Sequence, residues 1–172
     1  VVVDISNPTT PAFAGSYNTA GVAIDIAVAG DYAYIADGYT GLVIVDISSP
    51  TAPVLAGSYD TLGNAHDVAV AGDYAYIADG SNDLMVVNIS NSTAPTFAGS
   101  YNTAGNTYVV AVAGDYAYIA DYSYGLVVVD ISNPTTPAFA GSYNTAGVAI
   151  DIAVAGDYAY IADGYTGLVI VD

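Results

Sequence analysis

The chain has 172 residues with 17 acidic residues, all aspartate, one histidine and no lysine or arginine, which gives a formal charge of −17. Each aspartate must be hydrated, held by hydrogen-bond donors or neutralised by cations, because an unpaired buried carboxylate is costly. This charge excludes nucleic acids and anionic membrane surfaces as partners, since both are bound through basic residues. No apolar run approaches the ~18 residues of a membrane span, so we expect no membrane insertion. The absence of cysteine leaves the redox compartment open.

A tandem repeat organises the whole sequence. Residues 1–46 and 127–172 are identical, and their offset of 126 is three times 42. Less similar copies with the same 42-residue spacing lie between them. A period of this length indicates units that bury their apolar faces only by stacking on neighbours. The sequence therefore predicts one tandem-repeat array over residues 1–172, and its repetition predicts an excerpt of a longer repetitive chain or polymer.

Each repeat predicts four short strands and no helix. In the first full unit, Ile24, Ile26 and Val28 alternate with small or polar residues, which is typical of a strand. The continuous apolar run of the third strand predicts that Leu42 and Ile44 contact one neighbouring unit, while Val43 and Val45 contact the other, so that both sets are buried. Two prolines bar the following loop from a central strand. The predicted strands cover residues 24–29, 32–36, 42–45 and 54–59.

Four antiparallel strands in about 42 residues are typical of a β-propeller blade, whose sheet is covered on both faces by adjacent blades. We therefore predict an all-β fold of about four propeller-type blades. Such rings usually need more blades than this, so closure within the chain stays open at this point.

The third strand also carries a family resemblance. Residues 42–46 and 168–172 both read Leu-Val-Ile-Val-Asp, and residues 73–80 read Asp-Tyr-Ala-Tyr-Ile-Ala-Asp-Gly. Both segments resemble the hallmarks of the LVIVD-repeat proteins, and the resemblance covers essentially the whole chain. It implies a β-propeller from a bacterial or archaeal surface or secreted protein. Members normally carry some lysine and arginine, which this chain lacks.

Neither the single histidine nor the recurring aspartates indicate a catalytic site. His66 takes the position of Ile24, Tyr108 and Ile150 in the other units, which favours a partly buried substitution. Asp67, its neighbour, would point to the opposite face of the strand, so no serine-histidine-aspartate relay is expected. The aspartates that recur in every unit are interpreted as Asx turns. These are Asp31, Asp73, Asp115 and Asp157 in one turn, and Asp37, Asp79, Asp121 and Asp163 in the next. We predict that the protein is not an enzyme.

Calcium is the only cofactor that the sequence suggests. Asp79, Asn82 and Asp83 place oxygen ligands at short spacing, but the segment lacks the length and terminal glutamate of an EF-hand loop. Diffuse binding of divalent cations to the polyanion is the stronger expectation. Asp25, Asp67 and Asp151 share a further position of the repeat, and they would collect cations in a central channel if the ring closed.

Two adjacent sequons predict N-glycosylation, at Asn88 and at Asn91. Asn7 lies in an otherwise similar position but is followed by proline, which blocks the modification. Composition alone also indicates O-glycan sites on the threonines of the proline-rich loops. These threonines are Thr9, Thr10, Thr135 and Thr136.

The identity of residues 1–46 and 127–172 favours architecture over catalysis. Independent drift would have separated copies whose residues matter only for packing, so the identity indicates recent duplication, engineered repetition or a polymer with a 126-residue period, and each of these suits a building unit. We predict a structural, self-assembling extracellular or cell-surface protein, such as a fibre, sheath or surface-layer component, whose partners are copies of itself. The alternative is a carbohydrate-binding or adhesin module that stacks sugars on loop tyrosines. The candidate tyrosines are Tyr39, Tyr122, Tyr124 and Tyr165.

Overall fold

The computed structural model describes residues 1–172 as seventeen β-strands without a helix. The strands are β1 (Val2–Asp4), β2 (Ala12–Gly15), β3 (Asp25–Ala29), β4 (Tyr32–Ala36), β5 (Leu42–Asp46), β6 (Val54–Tyr59), β7 (Asp67–Ala71), β8 (Tyr74–Ala78), β9 (Leu84–Asn88), β10 (Thr96–Tyr101), β11 (Val109–Ala113), β12 (Tyr116–Ala120), β13 (Leu126–Asp130), β14 (Ala138–Tyr143), β15 (Ala149–Ala155), β16 (Tyr158–Asp163) and β17 (Gly167–Val171).

These strands form five antiparallel sheets, each ordered as the chain runs. Three are complete four-stranded sheets: sheet I (β3–β6), sheet II (β7–β10) and sheet III (β11–β14). The N-terminal sheet has two strands, β1 and β2, and the C-terminal sheet has three, β15 to β17. The predicted all-β fold of four-stranded antiparallel units is confirmed. The predicted count of about four becomes three complete and two partial sheets.

The turns and one bulge fix the register within each sheet. Gly30 adopts a φ of 56° in the turn between β3 and β4, where Ala29 pairs with Tyr32. Glycine suits this turn because a side chain disfavours positive φ. Between β5 and β6 the register shifts, since Val45 pairs with Leu55 and Ile44 with Gly57. Sheets II and III repeat the bulge, which bends the fourth strand.

The core lies between the sheets. Leu42 and Ile44 of sheet I pack with Val68 and Ile77 of sheet II in one buried cluster. Val45 faces the other way and packs beside Tyr17, which follows the N-terminal sheet. All of β5 except Asp46 is buried. The sequence prediction that the two sets of β5 side chains are buried on opposite faces is therefore confirmed.

The array does not close into a ring. Each sheet packs on the next one along the chain, through β3 on β7, β7 on β11 and β11 on β15, without comparable packing between the first and last sheets. The fold is an open stack, and the closed propeller considered from the sequence is not seen.

Candidate functional site

A hydroxyl–carboxylate bond joins each of the three complete sheets to the loop that precedes it. Thr19 donates to Asp37 at 2.6 Å, Thr61 to Asp79 at 2.6 Å, and Thr103 to Asp121 at 2.9 Å. The three aspartates are fully buried. Their interpretation as local Asx turns is wrong, because the hydroxyl donor lies 18 residues upstream in each case. Only Asp163 makes the local turn, accepting the N–H groups of Tyr165 and Thr166.

A second set of aspartates joins neighbouring sheets at their first strands. Asp25 accepts the N–H of Val68 at 3.1 Å, and Asp67 accepts that of Val110 at 2.7 Å. In sheet III the equivalent position is Val109, which has no carboxylate. In the C-terminal sheet, the amide of Ile152 is therefore bonded by the adjacent Asp151. These carboxylates cap backbone amides across sheets and do not line a closed channel.

Asp67 has an unusual protonation equilibrium. Burial, followed by a hydrogen bond with the nearby Asp25 carboxyl, raises the pKa of Asp67 to about 7. The amide of Val110 acts in the opposite direction by favouring the carboxylate. Ionisation of Asp67 as the pH rises therefore places a charge close to the Asp25 carboxyl, between sheets I and II.

Of the three calcium candidates, Asp79 and Asn82 lie together at Thr61, but Asp83 does not join them. Asp79 is bonded to Thr61, and Asn82 is exposed and donates to the Thr61 carbonyl at 3.4 Å. Asp83 points instead to the next repeat, where it accepts from Asn102 and Thr103. The structure contains no group of three or more acidic, histidine or cysteine residues placed to hold a metal.

Asp83 is itself an exception among the repeats. It adopts a φ of 65° at a position where Gly41 and Gly125 adopt 80° and 82°. The Thr103 hydroxyl lies 2.8 Å from Asp83 Oδ1 and 2.9 Å from Asp121 Oδ1. A hydroxyl has one proton, so it cannot donate to two ionised carboxylates at once. Burial raises the pKa of both aspartates, and a proton on either one satisfies both contacts.

The predicted N-glycosylation positions lie at the end of β9 and in the loop that follows it. Asn88 Oδ1 accepts the N–H and hydroxyl of Ser90, and Asn91 Oδ1 accepts those of Thr93. Asn91 is exposed and Asn88 half-buried. The four O-glycan candidates, Thr9, Thr10, Thr135 and Thr136, are all exposed.

An aromatic cleft lies among the loops of sheets I, II and III. It has a volume of about 360 Å³ and is lined by residues that include Tyr39, Asn64, His66, Asn106 and Tyr108. We name these five residues the aromatic cleft. The His66 and Tyr108 ring centroids are 5.0 Å apart. His66 is half-buried with its pKa lowered by burial, so the sequence interpretation of a partly buried residue holds, but its surroundings are a cleft.

The row of rings continues to Tyr122, 5.3 Å from Tyr108. Tyr122 has a φ of 46° at a position where Gly38 and Gly80 stand in other repeats. A bulky residue rarely adopts this conformation without a compensating role. Of the other predicted sugar-stacking tyrosines, Tyr124 and Tyr165 lie outside the cleft. This row was not predicted from the sequence, because His66 and Tyr108 occupy one position of the repeat and Tyr122 occupies another.

Two apolar faces at the ends of the stack are uncovered. On the C-terminal sheet, Leu168 is 66% and Ile170 54% exposed. On sheet I, Ile26 is 58% and Val28 63% exposed, although the counterpart of Ile26 in sheet II, Val68, is buried. We name the first pair the C-terminal face and the second the N-terminal face. Each is the surface that, inside the stack, contacts a neighbouring sheet.

Comparison with known proteins identifies the repeat. A family model described as the LVIVD repeat matches residues 1–19, 20–61, 62–103, 104–145 and 146–172, and so spans the chain. The protein belongs to the LVIVD-repeat family. The five matched LVIVD segments correspond to the two partial and three complete sheets.

No curated protein sequence matches the chain. Among solved structures, the crystal structure of the computationally designed Ika4 protein is similar, with a TM-score of 0.74 and 7% identity over 92% of this chain and 96% of that one. At this identity the likeness describes the fold alone. The chain has no helix long and apolar enough to cross a membrane.

Proposed function

We propose that this LVIVD-repeat protein is a structural building block of an extracellular or cell-surface assembly, formed by propeller-type units of successive copies. The observation that carries the proposal is the identity of residues 1–46 and 127–172, which suits a repeated building unit. Leu168 and Ile170 are exposed, whereas Leu42 and Ile44, at the same positions of the identical segment, are fully buried. Large contiguous apolar surfaces of this kind mark interaction sites.

The two faces are complementary. Inside the stack, the face equivalent to the C-terminal face contacts the face equivalent to the N-terminal face of the following sheet. Contact between unlike faces of two copies is heterologous, and it generates rings or open filaments according to whether the rotation closes. Burying a leucine or isoleucine contributes roughly 1.5–3 kcal/mol, which favours assembly. The charge of −17 on every copy opposes it.

The test is the concentration dependence of size. Sedimentation velocity and electron microscopy of the purified chain should show rings or filaments that dissociate on dilution. Leu168→Asp should abolish them. Leu62→Asp is the matched control, because Leu62 is 85% exposed in a loop and the added charge is the same. A wild-type chain that stays monomeric at all concentrations and salt conditions would refute the proposal.

The aromatic cleft favours a second candidate function, binding of carbohydrate. Its amides and rings are the donor, acceptor and stacking groups that neutral sugars use, and its volume is in the range of small-ligand sites. The strained Tyr122 beside it favours this candidate further. The other LVIVD units supply the test variant, since His66→Ile reproduces Ile24 and Ile150. Glycan-array binding that His66→Ile does not weaken would reject this candidate.

A further inference from the structure

A second cavity lies between sheets II and III, both of which have all four strands. Its volume is about 240 Å³. Its polar lining residues are Asn102, Thr103, Asp121 and Ser142, and its aromatic lining residues are Tyr101, Tyr124 and Phe139. None of these residues lines the aromatic cleft. The cavity is therefore separate from the cleft and lies away from both terminal sheets.

Asp121 lines this cavity with a carboxyl group that is only half satisfied. Asp121 is fully buried, and its Oδ1 accepts a hydrogen bond from the Thr103 hydroxyl at 2.9 Å. Its Oδ2 is buried without a hydrogen-bond partner. The equivalent oxygen of Asp37, in sheet I, accepts the N–H of Gly21 at 2.8 Å. Because a buried acceptor without a donor is costly, above all when it is charged, Asp121 favours a ligand that supplies a donor.

A second carboxyl group increases the negative charge beside the cavity. Asp83 is buried, and its Oδ1 lies 2.8 Å from the Thr103 hydroxyl that also contacts Asp121. One hydroxyl proton therefore serves two carboxyl groups. The chain has no lysine or arginine, and its single histidine lines the aromatic cleft. The pair can be neutralised only by a proton or by a cation from outside the chain.

Aromatic rings form another part of the cavity wall. Tyr124 is 48% and Phe139 58% exposed, so the cavity opens to solvent on this side. Tyr124 stands where the units of sheets I and II have Thr40 and Asn82. Among the complete sheets, sheet III alone has an aromatic ring at this position.

The ring of Tyr124 lies beside the Asp121 carboxyl. A Cβ built on Gly105 would lie 2.7 Å from Tyr124 Cδ2 and 2.8 Å from Asp121 Oδ1, so both groups flank the same point. A carboxylate accepts strong, charge-assisted hydrogen bonds from an ammonium group. The faces of aromatic rings attract the same cation and cover its carbon atoms. A buried carboxylate next to exposed rings therefore combines the two features that an organic ammonium ion uses.

We propose that this cavity binds a small organic ammonium ion, whose N–H groups donate to Asp121 Oδ2 and whose carbon chain packs on Tyr124 and Phe139. The ammonium charge offsets the cost of burying the carboxylate. The charge of −17 on the chain raises the local concentration of cations. The volume suits a ligand of a few heavy atoms, since drug-sized ligands occupy pockets of about 300–1,000 Å³.

Two other classes of ligand fit the cavity less well. A neutral sugar or alcohol supplies hydroxyl donors but leaves the charge of Asp121 and Asp83 uncompensated. Calcium takes about 6–8 oxygen ligands and makes no use of aromatic rings. The lining of this cavity has three rings.

Isothermal titration calorimetry at fixed ionic strength tests the class of ligand. The probe is n-butylammonium chloride. The alcohol n-butanol has the same carbon chain without the charge, whereas sodium and calcium chloride supply charge without the carbon chain. We expect saturable binding of n-butylammonium that n-butanol does not reproduce and that calcium does not displace. Equal affinity for n-butanol would overturn the ion pair, and displacement by calcium would show an inorganic cation site and overturn the proposal.

Substitutions locate the binding site. Asp121→Asn keeps an acceptor for Thr103 and removes the charge, so n-butylammonium should bind about tenfold more weakly or worse. Tyr124→Thr restores the residue of the equivalent position in sheet I and should weaken binding roughly threefold. Two matched controls should leave the affinity unchanged. Asp79→Asn removes the equivalent buried carboxylate of sheet II, and Tyr39→Thr removes an exposed ring of the aromatic cleft.

Each outcome decides the matter. A wild-type chain without saturable binding overturns the proposal, and so does full affinity in either Asp121→Asn or Tyr124→Thr. Equal weakening by the two controls would show diffuse attraction to the polyanion or binding in the aromatic cleft, and it would overturn the proposal as well. Urea unfolding checks that the variants fold. If Asp121→Asn does not fold, Tyr124→Thr remains a sufficient test, because another unit of this fold has threonine there.

Discussion

Leu42 and Leu168 occupy the same position of two identical 46-residue segments, yet Leu42 is fully buried and Leu168 is 66% exposed. The local sequence is therefore not what differs between them. Leu42 is covered by the following sheet, whereas Leu168 lies on the last sheet of the chain. This pair is an internal control for the energetic effect of stacking.

Leu42→Ala should destabilise the chain far more than Leu168→Ala. Removing a fully buried leucine side chain costs about 2–5 kcal/mol, because it leaves a cavity and loses apolar burial. At position 168 we expect a loss of less than ~1 kcal/mol in the monomer. Urea unfolding at concentrations below assembly measures both. Equal losses would show that the C-terminal face is covered in the monomer.

Asp83→Gly should stabilise the protein at neutral pH by about 1–3 kcal/mol. It restores the residue found at the equivalent positions 41 and 125, relieves the positive φ, and leaves Thr103 free to donate to Asp121 alone. Asp83→Asn keeps the backbone strain and removes only the charge, so it should give a smaller gain. Thermal unfolding at pH 7 measures both variants. A loss of stability in Asp83→Gly would mean that the Asp83 hydrogen bonds outweigh strain and burial.

The sequence was sufficient to predict the strands but not the contacts between remote repeats. Alternation at Ile24, Ile26 and Val28 and the run at residues 42–45 locate two strands, because side-chain periodicity is a local property. The donor for Asp79 is Thr61, 18 residues upstream, and it becomes apparent only when the sheets are stacked. The two 46-residue segments are identical, so the sequence could not predict that Leu42 is buried and Leu168 exposed. That difference depends on whether another sheet packs against each segment.

Glycan attachment should follow the sequons. If the protein is secreted by a host with N-glycosylation, intact-peptide mass spectrometry should find added mass at Asn91 and, less completely, at the half-buried Asn88. Asn133 is the matched control, since its Oδ1 makes the same bonds to Thr135 that Asn91 makes to Thr93 but proline follows it. Asn91 without added mass in such a host would contradict the prediction. Modification of Asn133 would show that the sequon is not what directs it.

Acidification from pH 8 to about 5 should raise the melting temperature. Burial and the Asp25 carboxyl raise the pKa of Asp67 to about 7, and burial raises that of Asp79 to about 6, both above the value near 3.9 of an unfolded chain. A raised folded-state pKa means that the folded protein binds protons more tightly, so its stability increases as pH falls from about 7 toward 4. A gain of roughly 1–3 kcal/mol corresponds to several degrees.

Below pH 4 the trend should reverse. Hydrogen bonds from Ser6, Ser48 and Ser132 lower the pKa of Asp4, Asp46 and Asp130, so their contribution is lost when they are protonated in strong acid. Asp67→Asn isolates the main group, because its amide oxygen can still accept the Val110 N–H. This variant should melt higher than the wild type at pH 8 and near it at pH 5. A wild-type melting temperature that is flat or falls between pH 8 and 5 would show that Asp67 and Asp79 are ionised in the folded chain at little energetic cost.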